Sequence, residues 1–465
     1  MTISAKKRVW GWYFFDWASQ PYNTLLLTFI FGPYFAQVAT GHFMDTGMDD
    51  VAARAAAQSY WGVGLTIAGL SIAFLSPVVG AIADGSGRRM NWIRSLSVVY
   101  VIGAWALWWL TPDGSWLFWA VVFFCLGFVA MEMTTNFVSA LLPGLVPEEE
   151  VGKTSGIGFA FGYFGGLVAL IFVLLLLAEN GETGKTLIGL DPIFGLDAAS
   201  REGTRSVGPL TAIWYILFMI PFFLWVREPK RDPATAIKPK EALVGLWVSI
   251  KGLRYRRSTA TFLAAALFYR DSLNALYGFG GVYAYGVLGW TVTQVGVFGI
   301  IGAVTAGIAS WAGGYADRKF GPKPVIIASV VVLTAVCILL VWMSDTHIFG
   351  ILLPEGSSLP DTLFYICGAL IGAAGGTVQA ASRTLMARHT TPERAAEAFG
   401  LYALSGKATA FMAPALITLV TSLTGNQQVG FLPLIFLFVI GLILLVWVKP
   451  DGERAEWSAH SPSSP

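Results

Sequence analysis

The chain has 465 residues, of which 55% are apolar and 12% charged, with a mean hydropathy of +0.65 and a net charge of +2. A soluble domain carries about 25% charged residues. We therefore predict an integral membrane protein rather than a pair of soluble domains with large cores. The net charge of +2 says nothing about nucleic acid by itself, but the sequence contains no basic stretch interleaved with aromatic residues, so we predict no nucleic-acid partner.

A membrane-spanning helix needs about 20 consecutive apolar residues. Runs of that kind predict spans near 9–38, 57–83, 92–111, 115–141, 154–178, 208–226, 260–287, 292–316, 323–343, 361–385, 396–421 and 430–448. The predicted fold is an all-α polytopic membrane protein with twelve transmembrane helices in two pseudo-symmetric six-helix bundles. The predicted parts are an N-terminal bundle at 1–226, a cytoplasmic connector at 227–259, a C-terminal bundle at 260–449 and a disordered cytoplasmic tail at 450–465.

The positions of lysine and arginine in the loops predict the orientation, because cytoplasmic loops carry an excess of these residues. With the N-terminus inside, the outward loops contain only Arg54, Lys185, Arg201 and Arg205. The inward loops contain most of the remaining cations. We expect both termini in the cytoplasm and predict location in a bacterial inner (plasma) membrane.

Cysteine and histidine argue against a metal site, a cofactor or catalysis. The three cysteines lie in apolar runs without a CxxC pair, and none of the four histidines lies in a clear span. A membrane-embedded enzyme would need a nucleophile–base pair or clustered metal ligands in the spans. We predict no metal, no cofactor and no enzymatic activity.

The two halves of the chain contain similar short motifs at equivalent places. Span 2 ends GAIAD at 80–84, and span 8 ends GGYAD at 313–317. The spacing D-x-x-[S/N]-x-x-Y starts at Asp16 in span 1 and at Asp271 in span 7. Repeats of this kind are typical of secondary transporters.

Polar residues form helical stripes inside the apolar runs, since positions three and four apart share a helix face. These candidate substrate or proton cavity residues are Asp16, Gln20, Asn23, Glu132, Asn136, Arg270, Asp271, Asn274, Gln379, Arg383 and Lys407. A charged side chain at the bilayer centre costs at least about 2.5–3.5 kcal/mol, which predicts a hydrated cavity between the bundles.

Other interpretations of these residues remain open. Asp16 and Arg383 lie near the inner ends of their spans and could be interfacial. Glu132, Asp271 and Lys407 could form structural ion pairs, and Arg270 could neutralise Asp271. In span 5, Gly158, Gly162 and Gly166 at fourfold spacing predict close packing against another helix.

The two-bundle pattern and the loops after spans 2 and 8 resemble the major facilitator superfamily. The matching cytoplasmic gate residues are Gly80, Asp84, Arg88 and Arg89 in the first copy, and Gly313, Asp317, Arg318 and Lys323 in the second. An aspartate at a helix end can accept hydrogen bonds from a neighbouring helix N-terminus and from a nearby arginine. Such bonds would hold the inner gate closed in one state.

A narrower resemblance is to the branch that contains the vacuolar amino-acid effluxer of autophagy and its bacterial relatives. The matching residues are Asp16, Trp17, Ala18, Gln379, Ser382, Arg383, Phe399, Gly400, Tyr402, Gly406 and Lys407. This chain differs from that branch at Ser19, Gln20 and Ser272. The resemblance implies an amino-acid substrate.

Together these features predict a secondary active transporter of a small polar solute, with amino acids favoured, that works by alternating access. No nucleotide-binding motif is present, so an ion gradient, with protons the favoured ion, would drive it. Glu132 and Asp271 are the favoured titrating acids and Asp16 the next, while Arg383 and Lys407 could bind a substrate carboxylate.

The predicted partners are a small-molecule substrate, protons and membrane lipids, without nucleic acid, and the predicted state is a monomer. The alternatives are a non-transporting sensor or lipid-handling scaffold on the same fold, and an exporter of another metabolite or drug.

Overall fold

The computed structural model describes residues 3–181, 183–228, 239–290, 292–354, 356–407 and 410–453. Part of the predicted connector, at 229–238, lies outside the described residues. The predicted tail lies outside them from residue 454 onward.

The N-terminal half of the chain is helical. Its helices are α1 (Ala5–Pro21), a π-helical segment (Tyr22–Phe29), α2 (Phe31–Asp45), α3 (Asp50–Ser86), α4 (Arg89–Ala106), α5 (Leu117–Ser139), α6 (Glu148–Leu176), α7 (Glu202–Arg205) and α8 (Val207–Trp225).

The C-terminal half is also helical, apart from one short hairpin. Its helices are α9 (Pro239–Gly252), α10 (Arg257–Leu288), α11 (Val292–Phe320), α12 (Pro322–Val341), α13 (Leu359–Arg388), α14 (Ala395–Lys407), α15 (Met412–Thr424) and α16 (Leu432–Val446). The hairpin pairs β1 (His347–Ile348) with β2 (Ile351–Leu352).

The predicted all-α polytopic fold is confirmed. Within the described ranges, eleven helical segments are long and apolar enough to cross a membrane. The predicted seventh span corresponds to α10, which has 32 residues and carries Arg270 and Asp271 near its middle. At 1.5 Å per residue, α10 is about 48 Å long, which exceeds the thickness of a bilayer core.

The chain divides into two compact units. The first comprises Met1–Ile72, Arg88–Val138 and Phe161–Pro229. The second comprises Ala73–Gly87, Ser139–Ala160 and Lys230–Pro465. The ends of α3 and α5 and the first part of α6 therefore belong with the C-terminal helices, so the division does not follow a single point in the sequence.

Aromatic side chains fill the core of the first unit. Tyr100 stacks on Tyr215 with 3.9 Å between ring centroids, and Tyr22 packs against Tyr100. The buried hydroxyl of Tyr22 donates to the carbonyl of Phe124 at 2.6 Å. Large aromatic rings bury much apolar area, and their polar tips need such partners when buried.

Helix α6 approaches α1 through its small residues. A Cβ atom at Gly162 would lie 3.1 Å from the carbonyl oxygen of Asp16, and one at Gly166 would overlap Thr24. The predicted close packing is confirmed at these two glycines.

In the second unit, α13 packs against α11 and α12, and α10 packs against α16. The buried hydroxyl of Tyr283 on α10 donates to the carbonyls of Leu340 and Met343 at 2.9 and 2.7 Å. The indole of Trp290 donates to Asp361 at 2.6 Å.

Candidate functional site

The first predicted span is interrupted where its polar stripe lies. α1 ends at Pro21, and the chain continues as the π-helical segment. Proline has no N–H to donate to the residue four positions earlier. The carbonyl of Trp17 instead accepts a hydrogen bond from the indole of Trp214 at 3.1 Å. π-Helical segments inside helices are frequent at functional sites.

Asp16, Gln20 and Asn23 are half-buried along this interrupted helix. The amide of Asn23 lies 4.0 Å from the sulfur of Met131 on α5. Met131 directly precedes Glu132. The end of the first polar stripe therefore contacts the second one, and the cavity that the two stripes would line stays a prediction.

Glu132 and Asn136 on α5 are both half-buried. Thr135 lies between them and donates its hydroxyl proton to the carbonyl of Met131 at 2.9 Å. In the first unit, two acids, Asp16 and Glu132, thus lie on helices that contact one another within the predicted spans.

In the second unit, Asp271 is almost fully buried, with 1% of its surface exposed. Its Oδ2 accepts a hydrogen bond from the backbone N–H of Ala413 at 2.9 Å. Ala413 lies in the first turn of α15, whose own N-cap residue, Phe411, provides no side-chain bond. Asp271 therefore does what an N-cap side chain does for a helix. Its Oδ1 has no hydrogen-bond partner among the described residues.

Arg270 contacts α14, whereas Asp271 contacts α15. Its guanidinium donates to the carbonyl of Tyr402 at 2.9 Å and lies 4.2 Å from the centroid of the Tyr402 ring. The idea that Arg270 and Asp271 neutralise one another is therefore wrong for this conformation. Consecutive helix positions point about 100° apart, so each side chain reaches its own partner.

Asp271 and Arg270 contact two helices that lie within one predicted span. The predicted span at 396–421 consists of α14 and α15, which end at Lys407 and begin at Met412. Pro414 occupies the first turn of α15, where its missing N–H leaves no bond unmade. The sequence predicts one span here and does not predict the helix start at Met412, for which Pro414 is a signal.

The remaining predicted cavity residues of the second unit have varied surroundings. Asn274 is exposed, Lys407 is half-buried, and the amide of Gln379 donates to the carbonyl of Gly375 on its own helix at 3.1 Å. Arg383 is buried with 5% of its surface exposed.

Arg383 makes hydrogen bonds and an aromatic contact with α6. Its guanidinium donates to the hydroxyl and the carbonyl oxygen of Ser155 at 2.9 and 2.8 Å, and it lies 4.2 Å from the ring centroid of Phe159. In this conformation these bonds are directed to neutral protein groups, and the binding of a substrate carboxylate by Arg383 stays a prediction. The predicted cavity residues fall in both units, and their convergence on one chamber stays a prediction.

In the first gate motif, Asp84 accepts hydrogen bonds from the N-terminus of a neighbouring helix. Asp84 is buried and accepts from the backbone N–H of Glu397 at 2.8 Å and of Ala396 at 3.3 Å, at the start of α14. A Cβ atom at Gly80 would overlap the backbone of Ala396. Only glycine allows α3 to approach α14 closely enough for these bonds.

The cations of this motif lie at the start of α4. Arg88 is exposed, whereas Arg89 is buried near Glu228. Burial raises the pKa of the Glu228 carboxyl above its ordinary value, while the amide of Met90, which donates to it at 3.2 Å, and the charge of Arg89 lower it. Arg89 therefore helps to balance the charge of a half-buried acid, Glu228.

The second gate motif has a different set of contacts. Asp317 is buried against Gly152 in the first part of α6, with Thr384 and Arg388 close to its carboxylate. Arg318 forms an ion pair with Glu150 at 2.8 Å. Lys323 donates to the carbonyls at the end of α16 at 2.8 and 3.0 Å, and Gly313 lies against α13.

No group of three or more His, Cys, Asp or Glu side chains that could hold a metal ion occurs within the described part of the chain. The chemistry of the site therefore consists of carboxylates, guanidinium groups, amides and helix termini.

The chain matches, over residues 4–458, the family described as vacuole effluxer Atg22 like. It is 26% identical over 445 residues to the uncharacterized MFS-type transporter YxiO of Bacillus subtilis (strain 168), which covers 95% of this chain and 94% of that protein. It is 24% identical over 322 residues to autophagy-related protein 22 of Cryptococcus neoformans var. neoformans. That match covers 66% of this chain and 53% of the fungal protein, so the chain spans about half of that relative's length.

Solved structures of transporters share the fold. The human organic anion transporter MFSD10 superposes with a TM-score of 0.70 at 16% identity, over 95% of this chain and 99% of that chain. The fucose:proton symporter FucP of E. coli superposes with a TM-score of 0.66 at 15% identity, over 95% and 98% of the two chains.

Proposed function

The chain belongs to the vacuole effluxer Atg22-like family and is a membrane transporter of the major facilitator type, and on this premise we propose that it carries amino acids by alternating access, coupled to protons. We place it in a bacterial inner membrane, as a monomer with both termini in the cytoplasm. The lopsided loop charges and the match to a bacterial relative along nearly the whole chain support this placement.

The observation that carries the proposal is the contact between Asp271 and α15. In many transporters the binding site is formed by discontinuous helices, whose half-helix N-termini point at anionic groups of the substrate. Here α15 begins inside a predicted span. The backbone N–H of Ala413 in its first turn donates to the buried carboxylate of Asp271 at 2.9 Å.

This contact suggests how a proton and an amino acid could be coupled. The N-terminus of α15 carries partial positive charge and favours a carboxylate. Ionised Asp271 satisfies it in the absence of substrate. Protonation of Asp271 would remove the negative charge, and the substrate's carboxylate could then take its place at the same backbone donor.

The acids of the first unit supply a second position for a proton. Glu132 is half-buried on α5, next to the residue that Asn23 contacts. A carboxylate at that depth is costly unless it faces water or a partner. We assign Glu132 a role in coupling, together with Asp271, and assign Asp16 and Gln20 to the lining of the cavity.

The contact of Asp84 with α14 serves as a cytoplasmic gate in this proposal. Its two hydrogen bonds fix the end of α3 to the first turn of α14. An inward-open state requires these bonds to break, so they favour the conformation in which the cytoplasmic ends of α3 and α14 are in contact.

Reconstituted vesicles test the proposal. Purified protein in proteoliposomes, given radiolabelled amino acids and a pH gradient of either direction, should accumulate at least one of them against its gradient. The Glu132→Gln variant should keep downhill flux and lose uphill accumulation. The matched control is Glu149→Gln, which neutralises an exposed acid on α6 and should behave as the wild type.

Two outcomes would contradict the proposal at different levels. Uphill accumulation by Glu132→Gln equal to the wild type would reject the role of Glu132. Absence of flux for every amino acid, in either gradient direction, would reject amino-acid transport and favour another solute or a non-transporting scaffold.

A further inference from the structure

Helix α9 lies in the connector, close to a membrane entry point. Only the four residues at 253–256 separate its end at Gly252 from the start of α10 at Arg257. Because α10 corresponds to the predicted seventh span, we expect the C-terminal end of α9 to lie near the membrane surface.

Helix α9 carries apolar side chains on its exposed face as well as on its buried face. Its buried face, at i, i+4 and i+7, consists of Ala242, Leu246 and Ser249. Its exposed face also carries large apolar side chains, namely Val244 at 63%, Trp247 at 58% and Val248 at 40% exposure. A helix surrounded by water would not expose such a stripe, whereas a helix lying in a membrane interface does.

Basic residues follow the apolar stripe of α9 along the chain. A cavity of about 270 Å³ at the end of α9 is lined by Lys251, Arg254, Arg256 and Arg394, together with Ser249 and Tyr255. Lys251 lies 5.1 Å from the centroid of the Trp247 ring. Arg254 likewise lies 4.5 Å from the centroid of the Tyr255 ring, so two of the cations lie beside aromatic rings.

The acids that act on Arg256 in this cavity are Glu397 and Glu453. Arg394 pairs with Glu397 at 3.6 Å, and Arg256, which is buried, donates to the carbonyl of Ser249 at 2.7 Å. Burial lowers the pKa of Arg256, and the charge of Arg394 lowers it further, while Glu397 and Glu453 oppose these effects. An additional anion would be stabilised among these four cations.

We propose that this cavity and the exposed stripe of α9 together bind one anionic phospholipid. The phosphate would occupy the cavity among Lys251, Arg254 and Arg394, since guanidinium groups match phosphate oxygens in geometry and charge. The acyl chains would cover Val244, Trp247 and Val248. A free phosphate would leave that stripe exposed, so the apolar face favours the lipid.

The site adjoins the proposed gate. Arg394 immediately precedes α14, and its partner Glu397 donates its backbone N–H to Asp84. A phosphate that draws Arg394 away from Glu397 would act on the same turn of α14 that Asp84 caps. The lipid is therefore placed where it can influence the cytoplasmic contact of α3 with α14.

Native mass spectrometry of the full chain tests the site. Detergent-purified protein is titrated with phosphatidylglycerol and, separately, with phosphatidylcholine of the same acyl chains. We expect selective retention of phosphatidylglycerol. In the Lys251→Gln/Arg254→Gln variant its apparent affinity should fall roughly 25-fold, at about fivefold for each cation.

The control variant is Lys6→Gln/Lys7→Gln, which removes two exposed cations from the predicted cytoplasmic side and should keep the wild-type affinity. Unchanged retention in the Lys251→Gln/Arg254→Gln variant would overturn the proposal, as would an equal loss in the control. Displacement of the lipid by sn-glycerol 3-phosphate would identify a free-phosphate site and overturn the lipid assignment.

Hydrogen–deuterium exchange of the unmutated protein gives an independent readout. In nanodiscs with phosphatidylglycerol, backbone amides at 240–256 should exchange more slowly than in nanodiscs of phosphatidylcholine alone. Equal exchange in the two kinds of nanodisc would contradict the proposal even if the variants failed to fold.

Discussion

Replacing Asp84 by alanine should release the first turn of α14. The carboxylate accepts two backbone hydrogen bonds, at 2.8 and 3.3 Å, in a buried position. A hydrogen bond to a charged group contributes about 1.5–3 kcal/mol, and a buried donor left unpaired costs about as much. Because the longer bond is weaker, we expect the opening free energy of this turn to fall by about 2–4 kcal/mol.

Hydrogen–deuterium exchange measures this change directly. A loss of 2–4 kcal/mol corresponds to exchange that is roughly 30- to 1000-fold faster for the amides at 396 and 397. Asp84→Asn keeps an acceptor but loses the charge, and should cost about 1 kcal/mol through the helix dipole. Its exchange should accordingly rise only about fivefold.

A matched control separates capping of α14 from a general loss of stability. Asp49 also accepts a hydrogen bond from a helix N-terminus, that of Ala52 at 2.9 Å, but in an exposed position. Asp49→Ala should speed exchange at the start of α3 and leave α14 unchanged. Exchange in α14 that stays at the wild-type rate in Asp84→Ala would refute the reasoning.

Three further substitutions test contacts that lie within one unit or the other. Arg383→Lys cannot make both bonds to Ser155 and should lower the free energy of unfolding by about 1–3 kcal/mol, measured by thermal unfolding in detergent; an unchanged Tm would contradict it. Glu179→Gln breaks an ion pair with Arg201 at 2.8 Å, in which the Glu179 side chain is fully buried. It should lower the free energy of unfolding by about 3 kcal/mol. A double-mutant cycle with Arg201→Gln should show a coupling energy above about 1 kcal/mol, and additive effects would refute the pair. Asp271→Asn keeps an acceptor for α15, so its Tm should stay close to that of the wild type while proton-driven accumulation is lost; retained accumulation would exclude Asp271 from coupling.

The membrane helices could be predicted because a bilayer fixes the length of the apolar run that crosses it. The bonds of Asp84 could be predicted as well, since the motif places an acid at a helix end and this acid needs donors. Both inferences use local sequence and one strong physical constraint.

The helix breaks were harder to predict. Apolar run length does not register a change from α-helix to π-helix after Pro21, nor the interruption before Pro414. Hydropathy averages over such positions. The prolines were visible, but only the neighbours that take up the freed carbonyls and donors decide whether a helix bends or breaks.

Partners that are far apart in sequence lay beyond prediction. Arg383 and Ser155 are separated by 228 residues, and the sequence gives no sign that they would meet. The same holds for Asp271 and Ala413, which are 142 residues apart. A polar residue in a span predicts that a partner or water exists, but tertiary packing selects which one.

Proton movement caused by the solute is the most direct test of coupling between amino-acid flux and protons. Proteoliposomes containing the protein and a trapped pH indicator are mixed with an amino acid that the flux assay has identified, without any imposed pH gradient. Wild-type vesicles should show a pH change that is absent in protein-free vesicles and in vesicles with Asp271→Asn. Solute flux without any proton movement in the wild type would contradict coupling to protons.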